Sequence, residues 1–369
     1  MSFPSGDGND PRAGLTGRLG MAGRPSRAHV RFFTLGDADY FVGAVALVNS
    51  LRLVGLDERI TFLDLGLLPK QRAILAAECD FVDVRREPGD HPWTYQPFAH
   101  LANPSGVCVI LDSDVIVTRR LDDLVESARA GEIAAYADPD RTRVAPEWSS
   151  IFELEQPLRR DRDYVNSGLV AFDADRHRDF LARWWHLCHG MTECGRRRSD
   201  DPIKYADQDA LNALLMSEYA DSARVINATV PMQSSDLAQA AVVDVDRLEC
   251  SYEGRVVSAL HSICWPKPWM WSARYQLARS AYLTCLLRLL HGPGLRITLE
   301  PRVLPRWLRA GAWGTTTRWL LHAIEKLPTP LFVWAYRTKV RLRGEAPVLT
   351  PTPTPDERLL ADLTSPSTT

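Results

Sequence analysis

The chain has 369 residues, enough to bury a full core and to form one large domain with an appendage. With 45% hydrophobic and 24% charged residues it has the make-up of a soluble globular protein, and a formal net charge of −2 gives no electrostatic case for nucleic acid as a partner. No stretch reaches the roughly 18–20 apolar residues of a membrane-spanning helix, which argues against an integral membrane protein.

Residues 1–28 are rich in Gly, Ser and Arg, contain no apolar run, and read as a disordered leader without a signal peptide. From position 29, short apolar runs alternate with helical spacings. Residues 29–35 (HVRFFTL) are a first strand candidate. Residues 41–55 are a helix candidate in which Phe41, Ala44, Val45, Val48 and Leu51 share one face. Strand candidates follow at 59–63, 81–85 and 107–111, with a helix at 69–79. This rhythm predicts an α/β fold with a parallel sheet covered on both faces. VCVIL at 107–111 is apolar throughout, as a central parallel strand should be.

The second half is more mixed, with a strand expected at 166–172, helices at 176–188 and 208–216, and a late strand at 256–261. After Trp271 the alternation stops. A helix is expected at 274–290, ended by Gly292-Pro293, with further helical pieces near 305–313, 316–327 and 331–341. The Thr/Pro-rich end reads as a disordered tail. The expected division is a leader at 1–28, an α/β domain at 29–272, a helical segment at 273–345 and a tail at 346–369.

Seven cysteines (Cys79, Cys108, Cys188, Cys194, Cys250, Cys264 and Cys285) form an odd, scattered set with no C-x-x-C pair, which fits free thiols in a reducing cytoplasm. His186, Cys188, His189 and Cys194 match no standard zinc spacing and read as core packing.

The chemistry starts at Asp112-Ser113-Asp114, directly after VCVIL. Ligands of open α/β sheets gather beyond the carboxyl ends of strands. Two carboxylates placed there call for a partner, and oxygen ligands suit Mg²⁺ or Mn²⁺, which could neutralise a diphosphate leaving group. A solvated turn is the competing reading, and the triplet alone leaves both open.

Further islands follow in order: Asn166-Ser167-Gly168 before an apolar run, Asp207-Gln208-Asp209 opening a helix, and HSICWPKPW from His261. The ordered set GDADY, DSD, NSG, DQDALN and HSICWPKPW resembles the family 8 retaining glycosyltransferases, the group of glycogenin and the bacterial lipooligosaccharide galactosyltransferases. The resemblance covers about residues 29–271. It implies a GT-A, Rossmann-like, mixed but mainly parallel sheet flanked by helices. It also implies a hexosyltransferase that moves galactose or glucose from a UDP-sugar to a hydroxyl acceptor with retention.

By the same resemblance, Asp112, Asp114 and His261 hold the metal, and the single imidazole tilts the choice to Mn²⁺, with Mg²⁺ as the alternative. Lys267 contacts the donor diphosphate. Tyr40 stacks on the uracil, Asp37 reads its edge and Asp39 lies near the ribose. Asn166 and Asp207 hold donor-sugar hydroxyls, and Gln208 lies near the anomeric carbon. Two positions depart from the family pattern. Cys264 replaces a glycine of the closing motif, and Gln96 stands where relatives often carry a basic residue, which should weaken diphosphate binding or change donor preference.

Between positions 274 and 343, thirteen Lys/Arg face only Glu300 and Glu325, a local charge of +11, and Trp307, Trp313, Trp319 and Trp334 are interspersed. Such a segment fits the surface of an anionic membrane at the cytoplasmic face, which would make a lipid-linked sugar a candidate acceptor beside a glycan or small molecule. Helices packed on the main domain are the alternative. Two rival functions are a non-catalytic sugar-nucleotide scaffold and a nucleotidyltransferase. The latter needs a basic, Gly-rich loop after the first strand, and GDADYFVG has no basic residue.

Overall fold

The computed structural model describes residues 29–84, 92–99, 105–189, 202–263, 267–270 and 280–325. The expected leader, the helix at 331–341, the Thr/Pro-rich tail, Cys194 and Cys264 lie outside the described residues.

The first half comprises β1 (Val30–Gly36), α1 (Phe41–Leu53), β2 (Arg59–Asp64), α2 (Pro69–Leu75), β3 (Cys79–Asp83), a 3-10 turn (Pro92–Phe98), β4 (Val107–Leu111) and β5 (Val115–Val117). Then come α3 (Asp122–Arg129), β6 (Ile133–Ala137), α4 (Trp148–Ile151), β7 (Val165–Asp173), α5 (Arg178–His189), α6 (Asp207–Leu215) and β8 (Ala223–Ile226). The last part holds α7 (Ser234–Gln239), β9 (Ala241–Asp244), β10 (Glu249–Tyr252), β11 (Arg255–Val256), β12 (Ala259–His261), α8 (Ala281–His291) and α9 (Ala312–Glu325).

Seven strands form the central sheet in the order β3-β2-β1-β4-β7-β6-β8. The chain is thus a mixed α/β protein with a mostly parallel sheet flanked by helices. β1, β2, β3 and β4 are parallel neighbours, as are β6 and β8. β7 runs antiparallel to both β4 and β6. The parallel sheet expected from strand rhythm is therefore interrupted by one strand, and the sheet is mixed and mainly parallel, as the family resemblance implies. The β6–β7 connection holds only the four-residue α4 instead of a crossover helix, and an antiparallel return needs none.

The all-apolar character of β4 follows from its position. Val107, Val109 and Leu111 face one core with α1, while Cys108 and Ile110 face a second core with α5 and α6. Successive strand residues point to opposite faces, so a strand covered on both sides has no polar positions to spare. α2 is shorter than expected, because Cys79 already pairs with Ile60 and opens β3. Cys188 is buried in the second core, whereas His186 is exposed and does not pack there.

Residues 281–308 of the basic segment belong to the first core, through Tyr282, Leu286, Leu289, Leu290, Trp307 and Leu308. Asn49, buried on α1, locks this segment in place. Its Nδ2 donates to Leu289 O (2.9 Å) and Ile297 O (2.8 Å), and its Oδ1 accepts from Ile297 N at 2.9 Å. Among the described residues no helix is long and apolar enough to cross a membrane.

Candidate active site

The D-S-D triplet sits where β4 ends. Its turn is held by Val115 N donating to Asp112 O (3.1 Å) and Asp112 N donating to Gly168 O (3.0 Å). After the turn, β5 pairs antiparallel with β12 and sets Val115 opposite His261. This pairing brings the distant histidine to the acids. Ligand atoms of Asp112, Asp114 and His261 all lie within 4.8 Å of one another. His261 Nε2 is 3.3 Å from Asp112 Oδ2 and 3.1 Å from Asp114 Oδ1.

The electrostatics fit a cation site whose charge is held by protein cations. Lys267 Nζ donates to Asp114 Oδ2 at 2.5 Å and to Ser262 O at 2.8 Å. Burial acts to raise the Asp114 pKa, but Lys267 and His261 outweigh it and hold the carboxyl well below the usual range. Burial acts to lower that of His261, but Asp114 and Asp112 raise it to about 9. Asp114 Oδ1 and His261 Nδ1 are buried without a hydrogen-bond partner. Two carboxylates and one imidazole form a donor set that suits a divalent cation.

On one side of this cluster, the GDADY segment turns into α1, with Asp39 N donating to Asp37 Oδ1 at 3.0 Å. Tyr40 is half-buried, with Lys267 Nζ 5.6 Å from its ring centroid and Trp269 edge-on at 6.2 Å. Burial and the charges of Asp114 and Asp112 push the Tyr40 phenol well above its ordinary pKa. Trp269 Nε1 donates to Asp39 O at 2.7 Å and ties the closing K-P-W motif to the first strand's turn. Gly43, in the first turn of α1, has no room for a side chain, since a Cβ would overlap Ser113 O and the Trp269 ring.

On the other side lie Asn166, Asp207 and Gln208. Asn166 Nδ2 donates to Gln208 Oε1 (3.0 Å), as does Ser167 N (3.2 Å). Asn212 fastens α6 to the start of β7, accepting from Val165 N at 2.7 Å and donating to Val165 O at 2.8 Å. Asp207 is buried in the first turn of α6, and burial, then the charge of Asp112, push its pKa up to about 8.

Three features escaped the sequence reading. Asp138 accepts from Gln208 Nε2 at 3.1 Å. It directly follows the apolar strand β6, so the strand-end rule that picked out Asp112 could also have found it. Gln96, expected only as a missing cation, donates its Nε2 to Asp112 Oδ1. Asp209 is buried and paired with Arg143, and it accepts from Tyr164 Oη (2.6 Å) and from the backbone N–H groups of Lys204 (2.6 Å) and Tyr205 (2.8 Å). It braces the bend before α6, where Ala206 has a φ of 44°.

No protein-family model matches the chain, and no curated protein matches it in sequence. Among solved structures, it is similar to an active-site mutant of LgtC (TM-score 0.44, 19% identity, covering 66% of this chain and 90% of that one). It is also similar to the galactosyltransferase LgtC in complex with donor and acceptor sugar analogues (TM-score 0.43, 18% identity, the same coverage). A third likeness is to the glycosyltransferase GlyE of Streptococcus pneumoniae TIGR4 (TM-score 0.42, 17% identity, 66% of this chain and 56% of that one). At this distance the likeness is one of layout, and no residue's role is taken from it.

Proposed function

We propose that the chain is a GT-A-type retaining glycosyltransferase that moves a hexose, galactose or glucose, from a UDP-sugar to a hydroxyl acceptor. The observation that carries this reading is the Asp112–Asp114–His261 cluster, with Lys267 on Asp114, at the carboxyl end of central strand β4. Asp112, Asp114 and His261 would hold a divalent cation, Mn²⁺ or Mg²⁺. When bound, it supplies positive charge that stabilises the departing diphosphate.

The chain's own groups have defined tasks in this reading. With Asp114 engaged as a ligand, Lys267 is released to donate to the diphosphate as a point charge. Tyr40, beside Lys267 and Trp269, offers its ring to the uracil, with Asp37 and Asp39 next to it for the base edge and ribose. Asn166 and Asp207 bind donor-sugar hydroxyls. Gln208, fixed by Asn166, Ser167 N and Asp138, steadies the cation-like sugar at its anomeric carbon. The acceptor hydroxyl enters on the face the diphosphate leaves. Its oxygen bonds to that carbon while its proton passes to the departing phosphate oxygen.

Asp114→Ala and His261→Ala are each expected to abolish metal-dependent UDP release, and retained turnover would overturn the assignment. A second reading, a sugar-nucleotide-binding scaffold without turnover, is favoured by neutral Gln96 on Asp112, where a cation would otherwise help the diphosphate leave. Calorimetry separates the two: UDP binding with Mn²⁺, but neither hydrolysis nor transfer, supports the scaffold. The proposed setting is the cytoplasmic face of an anionic membrane, where a lipid-linked sugar would be the acceptor.

A further inference from the structure

Tyr282 belongs to none of the motifs that build the site. It lies on α8 in the basic C-terminal segment, 168 positions from Asp114, yet its buried hydroxyl donates to Asp114 O at 2.9 Å. We propose that Tyr282 is a positioning residue of the metal cluster, so that α8 helps to hold the cation by fixing the backbone that carries Asp114. The proposal rests on the reading of Asp112, Asp114 and His261 as metal ligands.

The Asp114 carbonyl accepts two bonds. One comes from Ser262 N (3.2 Å), the residue after His261, and the other from Tyr282. The first ties Asp114 to the strand that brings the imidazole, and the second ties it to a separate element. With both lone pairs used, the peptide cannot rotate without breaking a buried bond, and the Cα–Cβ bond from which the Asp114 carboxylate projects is held with it.

The anchor is itself rigid. Ser280 Oγ accepts from Leu283 N at 3.1 Å, which fixes the first turn of α8 where Tyr282 sits. Leu283, Leu286, Leu289 and Leu290 are buried in the core shared with α1. Asn49 of α1 grips the far end of α8 and the loop after it through Leu289 O and Ile297. α1 in turn presses Gly43 against Ser113 O. The D-S-D turn is therefore held between α1, β12 and α8, and only the last of these reaches Asp114 through a single side-chain hydroxyl.

The test uses full-length wild type, Tyr282→Phe and Tyr136→Phe. Tyr136 supplies the control, a buried tyrosine whose hydroxyl donates to Asp123 Oδ1 of α3 at 3.0 Å instead of to the backbone of a cluster residue. Mn²⁺ is titrated into each protein by calorimetry without any donor, and melting is followed in EDTA. Tyr282→Phe is expected to weaken Mn²⁺ binding about three- to tenfold, the worth of one hydrogen bond. It should raise the Mn²⁺ needed for half-maximal UDP release while kcat at saturating Mn²⁺ stays nearly unchanged. Tyr136→Phe should lower the melting temperature but leave Mn²⁺ affinity as in wild type. Wild-type binding with equal affinity in Tyr282→Phe, or equal weakening in Tyr136→Phe, overturns this proposal alone. Absence of Mn²⁺ binding by wild type overturns the metal reading and this proposal with it.

Discussion

Gly168 shows why the N-S-G segment and the D-S-D triplet belong to one site. A Cβ at this position would overlap Asp112 Oδ2 and lie 2.6 Å from His261 Cε1, so only glycine lets β7 pass this close to the acids. Gly168→Ala should therefore push Asp112 and His261, the proposed ligands, apart. The expected outcome is a loss of Mn²⁺ affinity of at least about tenfold, with a stability loss of about 1–3 kcal/mol from overpacking. Unchanged calorimetric affinity would show that the two ligands do not act together. Asp207 supplies a pH signature. Its pKa is raised to about 8, first by burial and then by Asp112, from an ordinary value of 3.8. The fold thus favours the neutral acid, and this contribution to stability is full below about pH 4 and lost as pH rises through about 8. Metal-free wild type should lose melting temperature relative to Asp207→Asn between about pH 5 and about pH 8.5. Parallel melting curves for the two proteins would contradict it. Mn²⁺ should narrow the gap, because a cation on Asp112 removes part of the repulsion.

At the scale of elements, the motifs were legible but their supports were not. β4 spans Val107–Leu111 as its apolar run predicts, because a wholly apolar segment of five residues is too short for a helix and fits a strand buried on both faces. D-Q-D-A-L-N predicts a helix opening, with Asp207 toward the donor sugar and no task for Asp209 or Asn212. Asp209 turns inward to Arg143 and Tyr164, and Asn212 bonds the backbone of Val165. Nothing in the spacing of these residues distinguishes a side chain facing the site from one facing the opposite strand, since both lie on the buried side of α6. Asn49 is a similar case: a polar residue on an almost wholly buried helix, whose partners are 240 and 248 positions away. Asn49→Ala would leave Leu289 O, Ile297 O and Ile297 N without their side-chain partner. A stability loss of about 3 kcal/mol is expected in chemical denaturation. A loss under about 0.5 kcal/mol would mean that water or neighbouring groups replace all three bonds.

For the whole molecule, composition and rhythm determined the α/β class, the strand-end position of the acids and the basic character of the C-terminal segment. The membrane proposal belongs to this scale. Trp319 is 70% and Leu320 51% exposed on α9, within a segment of local charge +11, while Trp307 is buried in the core. The full-length protein should float with phosphatidylserine-containing liposomes and release in high salt, and Trp319→Ala should reduce the bound fraction several-fold. No flotation of the intact protein would count against this setting. Sequence order also determined which five motifs the chain carries, since local residue types and their succession are properties of a line. The tertiary structure decided how these motifs meet: β7 is the strand that runs against its neighbours, β5 pairs with β12 to set His261 beside Asp112 and Asp114, and Lys267 rests on Asp114. It likewise decided that Tyr282 reaches back to the same residue. These are contacts between segments far apart in the chain, selected by the shared burial of two cores, and no local pattern of residues specifies which distant partner a strand or helix will find.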